Sequence, residues 1–210
     1  MNNLLIGFGH KARQGKDTAC LAIQREFGDK YNIVRVAFAD FLKKEANQIG
    51  FDKLSEYYGI PLDPDPYMDD PLCQTCFGKQ PKLLQAHGDG QRNAISPWYW
   101  VRQLEEYVKS LQGNPIVLVS DVRYFTEALF IKENKGYLVN VKRPGFITND
   151  RDPNHISETQ LDGFDKYDFA IESTSVEDLT KSAIEVFSHI LELEGVGKES
   201  DYYKDVFDSV

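Results

Sequence analysis

The sequence predicts an α/β fold with a parallel sheet flanked by helices, and three observations carry that prediction. Short apolar runs with strand character alternate along the chain with stretches whose apolar residues recur at helical spacing. The first apolar run passes through a glycine-containing turn straight into a helix. At 41% hydrophobic and 27% charged residues the composition is that of an ordinary globular chain, and no apolar run is long enough to span a bilayer. A length of 210 residues favours one domain over 1–210.

In order, Leu4 to Gly9 reads as a buried strand, and Lys16 to Phe27 as a helix with Ala19, Ile23 and Phe27 on one face. Ile33 to Ala39 is a second strand, and Asp40 opens a helix through Ile49 on the spacing of Phe41, Leu42, Ala46 and Ile49. Pro61 to Pro81 breaks into prolines, aspartates and a C-x-x-C, so the segment 51–95 is expected to carry a loop-rich insertion able to cover a ligand. Regular structure is expected to resume with a helix from Pro97 to Leu111, a strand from Ile116 to Val119 ending at Ser120-Asp121, and a helix from Thr126 to Asn134. Tyr137 to Val141 and Phe169 to Ile171 are the remaining strands. Between them lies a polar, turn-rich stretch from Arg143 to Asp165, and Val176 to Leu193 is a closing amphipathic helix before a charged tail from Gly195.

A formal charge of −9 argues against a nucleic-acid polymer as partner, since phosphate would be repelled outside a local basic patch. A small anion needs only a few basic groups at one site. The start of the chain lacks the basic lead and cleavage site of a signal peptide, which leads us to expect a cytoplasmic protein without a membrane partner. Cys20, Cys73 and Cys76 include a single C-x-x-C. Zinc would need two more ligands, for which His10 and His87 are loose candidates, and reduced thiols in a loop are the favoured reading.

Chemistry points first to residues 7–18, between the first strand and the first helix. Backbone N–H groups of such a loop, together with a helix N-terminus, can cradle phosphate oxygens, and Lys16 is placed to reach them from a solvent-facing loop end. The expected phosphate-binding residues are His10, Lys11, Ala12, Arg13, Gln14, Gly15, Lys16, Asp17 and Thr18. The strict G-x-x-x-x-G-K-[ST] pattern is not met: His10 stands at the first glycine, Asp17 follows the lysine, and Thr18 comes one place late. Two readings of Asp17 stand: it replaces the usual hydroxyl near Mg²⁺, or it favours the helix dipole while Thr18 serves the metal.

Gly15-Lys16-Asp17-Thr18 is similar to the loop ending of phage-type deoxynucleoside monophosphate kinases. Val36 to Lys43 resembles the same family's F-A-D-x-L-K segment, and Ser120 to Tyr124 with Glu127-Ala128 resembles its D-V-R-[FY]-x-x-E-A segment. Arg143-Pro144-Gly145 followed by His155 to Thr159 looks like its R-P-G … H-x-S-E segment. Where the family pattern has proline and asparagine after D-V-R-[FY], this chain has Phe125 and Thr126. The resemblance implies a P-loop kinase fold with a monophosphate-binding insertion and a lid over 143–162. ATP and Mg²⁺ are the implied cofactors, a deoxynucleoside monophosphate the implied acceptor, and the host cytoplasm the setting if the gene is a phage's; a homodimer is left open. Other P-loop kinases, of dephospho-coenzyme A or phosphomevalonate type, and a non-catalytic nucleotide-binding protein are the alternatives, because loop and fold are shared more widely than substrate.

Individual residues then acquire expected roles. Asp121, at a core strand end, is a candidate for holding Mg²⁺, with Arg123 facing the same cleft. Asp40 is a candidate substrate contact or helix cap; Lys43, Arg92 and Arg102 are candidates for the acceptor, and Trp98 with Trp100 either stacks on a base or belongs to the core. Arg143 and Arg151, on the lid segment, are the expected cations of the transition state beside Lys16 and Arg123. His155, Ser157 and Glu158 are expected to order that segment by hydrogen bonds, a nucleotide contact being the alternative for His155.

Overall fold

A computed structural model of the chain describes residues 3–62, 80–146 and 152–196. Five parallel strands, β1 (Leu5–Gly9), β2 (Ile33–Val36), β3 (Ile116–Val122), β4 (Tyr137–Lys142) and β5 (Phe169–Glu172), form one sheet in the order β2-β3-β1-β4-β5. β1 pairs with β4 from Ile6↔Tyr137 to Gly9↔Asn140, and with β3 from Leu5↔Val117 to Gly7↔Val119 before the register shifts to Gly9↔Val122. The central strand β1 is buried at all five positions, the reason it reads as an unbroken apolar run and not an alternating one.

Helices cover both faces. On one, α1 (Lys16–Phe27) and α8 (Val176–Leu193) pack Ala19, Ile23, Ala183 and Phe187 against Ile6, Phe8, Leu118 and Val139. On the other, α5 (Tyr99–Ser110) and α6 (Phe125–Glu133) pack Trp100, Leu104, Ala128 and Ile131 against Leu5, Val117, Val119 and Leu138. Successive β1 residues thus feed opposite cores, as the pleat requires. A third, smaller cluster of Ala46, Phe51, Leu54 and Leu83 joins α2 (Phe38–Ile49), α3 (Phe51–Tyr58) and α4 (Pro81–Ala94). No described helix is long and apolar enough to cross a membrane.

Several boundaries move relative to expectation. β2 stops at Val36, and α2 begins at Phe38 instead of Asp40, because Ala37 is extended (φ −130, ψ 147) and its N–H is accepted by the Asp40 carboxylate at 2.9 Å. Asp40 is therefore a residue of the helix's first turn, bonding back to the cap position. Part of the expected insertion is helical: α3 and α4 fall within 51–95, while the proline-rich stretch with Cys73 and Cys76 lies outside the described residues. α4 was hidden by Gly88, Gly90 and Asn93, all weak helix formers. Gly90 answers a close approach, since a Cβ there would stand 2.5 Å from the Tyr58 hydroxyl, and the backbone carbonyl of Gly88 accepts from Trp100 Nε1 at 3.0 Å. The polar stretch after β4 includes one short helix, α7 (Ile156–Thr159).

Candidate functional site

In the order β2-β3-β1-β4-β5 the chain reverses direction across the sheet between β3 and β1, and the crevice beyond those two strand ends is where open parallel sheets bind ligands. The turn from β1 into α1 enters it from one side, and Ser120 to Arg123 from the other. A cleft of about 230 Å³ lies there. Arg13, Lys16 and Arg123 give it positive charge, and Asp17, Thr18, Ser120 and Asp121 give it oxygens.

Gly15 turns the loop into α1 with φ 100, and a Cβ there would also sit 2.5 Å from a Leu179 methyl, so both conformation and space call for glycine. Lys16 follows it. Contrary to the expected solvent-facing position, Lys16 is only 6% exposed, and its ammonium donates to the Lys11 carbonyl. Burial first, and the neighbouring Arg123 second, push its pKa down to about 7. Asp121, Glu158 and Asp17 offset only part of that shift.

The acids of the cleft are held in place. Asp17 accepts from Arg35 and from Ser120 Oγ at 2.9 Å; burial works against its charge, but those bonds outweigh it and hold its pKa below the usual carboxylate value. Asp121 caps α2, accepting from the N–H of Phe38 at 2.7 Å and of Ala39 at 2.9 Å, yet burial prevails and raises its pKa. Arg35 and Ser120 both bond Asp17 Oδ1, so Asp17 Oδ2 and the two Asp121 oxygens, each of which accepts one backbone N–H, keep lone pairs for a cation, and Asp17, Thr18, Ser120 and Asp121 are hard oxygen donors on one cleft. That set fits Mg²⁺, which takes one or two carboxylates and fills its octahedron with water and phosphate oxygens.

A chain of ion pairs links the loop to the elements around it. Glu158 of α7 accepts from the Ala12 N–H at 2.8 Å and pairs with the Arg123 guanidinium. Glu127 accepts from the Arg123 N–H at 2.7 Å and pairs with Arg92 at 2.8 Å; burial pushes its pKa up to about 7. His10 and Lys11 both meet Asp162, at 3.0 and 2.8 Å, and the Gln14 side chain accepts from the Arg143 N–H. The loop is thereby tied to 143–162 at three places.

Other expected residues are dispersed. Lys43 and Arg102 sit on exposed helix positions and line neither cleft of the chain described here and below. Trp100 is a core residue, 2% exposed, and Trp98 packs half-buried against the same core. The Arg143 guanidinium lies 4.6 Å from the Phe146 ring centre, and Arg151 lies outside the described residues. His87 is bonded to Glu45 at 2.9 Å and approached by the Tyr58 hydroxyl at 3.3 Å. Arg35 and Asp89 were not anticipated, and Glu127 was quoted only within a motif. The side-chain partners Arg35–Asp17, Glu127–Arg92 and Asp89–Tyr124 are 18 residues or more apart, although the capping bonds of Glu127 to the Arg123 and Tyr124 N–H groups are local.

This arrangement and the sheet order define a P-loop kinase fold. Dephospho-CoA kinase from Campylobacter jejuni superposes with a TM-score of 0.52 over 92% of this chain and 98% of its own, at 14% identity, a likeness of fold. In sequence, the chain is 29% identical to an Acanthamoeba polyphaga mimivirus protein that bears the name "Putative deoxynucleotide monophosphate kinase", covering 80% of this chain and 87% of that one. No family model matches the chain.

Proposed function

We propose that the chain transfers the γ-phosphoryl group of ATP to a deoxynucleoside monophosphate. One observation carries the reading: a buried, desolvated Lys16 stands in a cleft with Arg13, Arg123 and four oxygen-bearing side chains at the switch point of a parallel sheet. The name borne by the mimivirus relative supports the choice of acceptor.

On this reading residues 10–18 hold the ATP phosphates, and Lys16 and Arg123 meet the charge that spreads over the transferred group. Asp17 or Thr18, with Asp121, holds Mg²⁺, which when bound neutralises phosphate charge. An acceptor phosphate is already ionised, so these residues align it and exclude water without abstracting a proton. The whole chain acts as one kinase domain, with 51–95 facing the acceptor, 143–162 as lid and 195–210 as a tail. Arg143, tied to Gln14 through its backbone, and Arg151 would be the lid's cations.

A coupled ADP-release assay over deoxynucleoside monophosphates, ribonucleoside monophosphates, dephospho-coenzyme A and phosphomevalonate tests this. Turnover confined to the deoxynucleotides is expected. Turnover of another acceptor alone reassigns the enzyme, and tight ATP binding with no turnover makes the chain a binding protein.

Lys16 supplies a second test. With its pKa near 7, the lysine is mostly neutral at pH 8, and a bound polyphosphate restores its charge. Binding then takes up a proton, so ATP affinity should fall with rising pH above 7, by up to about tenfold per unit. Titration calorimetry at pH 8.5 in two buffers of different protonation enthalpy reads the uptake, and identical heats would place Lys16 away from the phosphates.

A further inference from the structure

A second cleft, of about 290 Å³, opens against Arg92, Tyr124, Phe125 and Ile156. It shares a wall with the first: Arg123 lines one, and the next three residues line the other. Tyr124 is extended (φ −114, ψ 152), so Arg123 and Phe125 stand roughly 7 Å apart along the backbone. A ligand with its anion at Arg123 reaches the second cleft with a spacer the length of one sugar.

The charge of this second cleft is already matched. Arg92, its guanidinium, pairs with Glu127 at 2.8 Å, lies 3.6 Å from the Tyr124 ring centre and is 3.9 Å from Asp89. Asp89 in turn accepts from the Tyr124 hydroxyl at 2.8 Å and meets His155 Nε2 at 3.0 Å. Two carboxylates around one guanidinium leave Arg92 no excess positive charge for a phosphate. Arg92, expected from the sequence to grip the acceptor's phosphate, is committed elsewhere.

What the cleft offers instead is apolar surface. Phe125 is 44% exposed and Ile156 45%, large side chains left in contact with water beside a concavity. Phe125 is held in place: its N–H donates to Gln160 Oε1 at 2.9 Å, and its ring meets Phe164 edge-on at 5.8 Å. Asn93, on the same lining, carries an amide that can both donate and accept.

We infer that this cleft binds the planar base of the acceptor nucleotide, stacked on Phe125 and Ile156 with Asn93 at its polar edge. The inference rests on the proposed phosphoryl transfer and narrows it: the phosphate goes to Lys16 and Arg123, the uncharged ring to the second cleft. Phe125 and Thr126 both stand on its lining.

Steady-state kinetics of Phe125→Ala and Asn93→Ala, with each deoxynucleoside monophosphate varied and then ATP varied, test it. Loss of a stacking ring should raise the acceptor KM by about tenfold or more while the ATP KM stays put, and Phe125→Trp should restore it. Asn93→Ala should reorder the preference among bases. The mutated side chains are not core residues, and a thermal melt checks that each variant is folded. If parent and variants turn over deoxynucleotides with acceptor KM values within about twofold of one another, the base lies elsewhere and the inference falls while phosphoryl transfer stands. Should the parent turn over no deoxynucleotide at all, the functional reading itself fails, and this one with it.

Discussion

Lys16→Ala should lose about 100- to 1000-fold in kcat, the usual consequence of removing one preorganised contact to charge that develops in a transition state. The effect separates from folding on physical grounds. A lysine that is 6% exposed, with its pKa pushed down to about 7, is disfavoured as a cation in the folded chain. Its removal takes away a desolvated charge and one hydrogen bond to the Lys11 carbonyl, not an apolar core contact. The alanine variant should therefore melt close to the parent temperature. Single-turnover kinetics with saturating ATP, beside a thermal melt, measure both quantities. A folded variant with kcat within about threefold of the parent would remove Lys16 from the chemistry and the loop from its assigned role.

How far the chain's order could be read in advance depended on whether a residue's partner is local. β1 and β3 are buried on both faces, so each reads as a continuous apolar run that composition alone exposes. The loop between β1 and α1 was legible despite its departures from the strict pattern, because a strand, a glycine turn and a helix fall in sequence. α4 was not, since its Gly90 suits Tyr58, which reaches it from α3. Exposed cations are harder to read: Lys43 and Arg102 are acceptor candidates in the sequence, and the fold places both on exposed helix positions. Asp121 was expected at a strand end and is found there, but its capping of α2 depends on a helix start two residues earlier than the pattern of Asp40 suggested.

Glu158 is the residue whose replacement separates positioning from binding most cleanly. Its two carboxylate oxygens serve two different elements, one accepting from the Ala12 N–H in the loop and the other pairing with Arg123 at the end of β3. At 2% exposed, this carboxylate fixes the relative placement of loop and arginine without itself lining the cleft. Glu158→Gln keeps the shape and an amide oxygen for Ala12 but removes the charge that aims Arg123. Misplacing a group by about 1 Å can cost about 100-fold in rate, so kcat should fall by that order. The ATP KM should change little, because Lys16 and the loop backbone still hold the ground-state phosphates. Glu158→Ala goes further, leaving the Arg123 guanidinium without this partner in a site it fills only partly exposed, and should destabilise the fold by about 3–5 kcal/mol. Kinetics of the glutamine variant with a denaturant melt of both variants give the two readouts. A glutamine variant with parental kcat would mean that Arg123 is aimed by something else. A rise in the ATP KM at constant kcat would mean that Glu158 shapes the loop for binding and leaves the arginine's contribution to the transition state untouched.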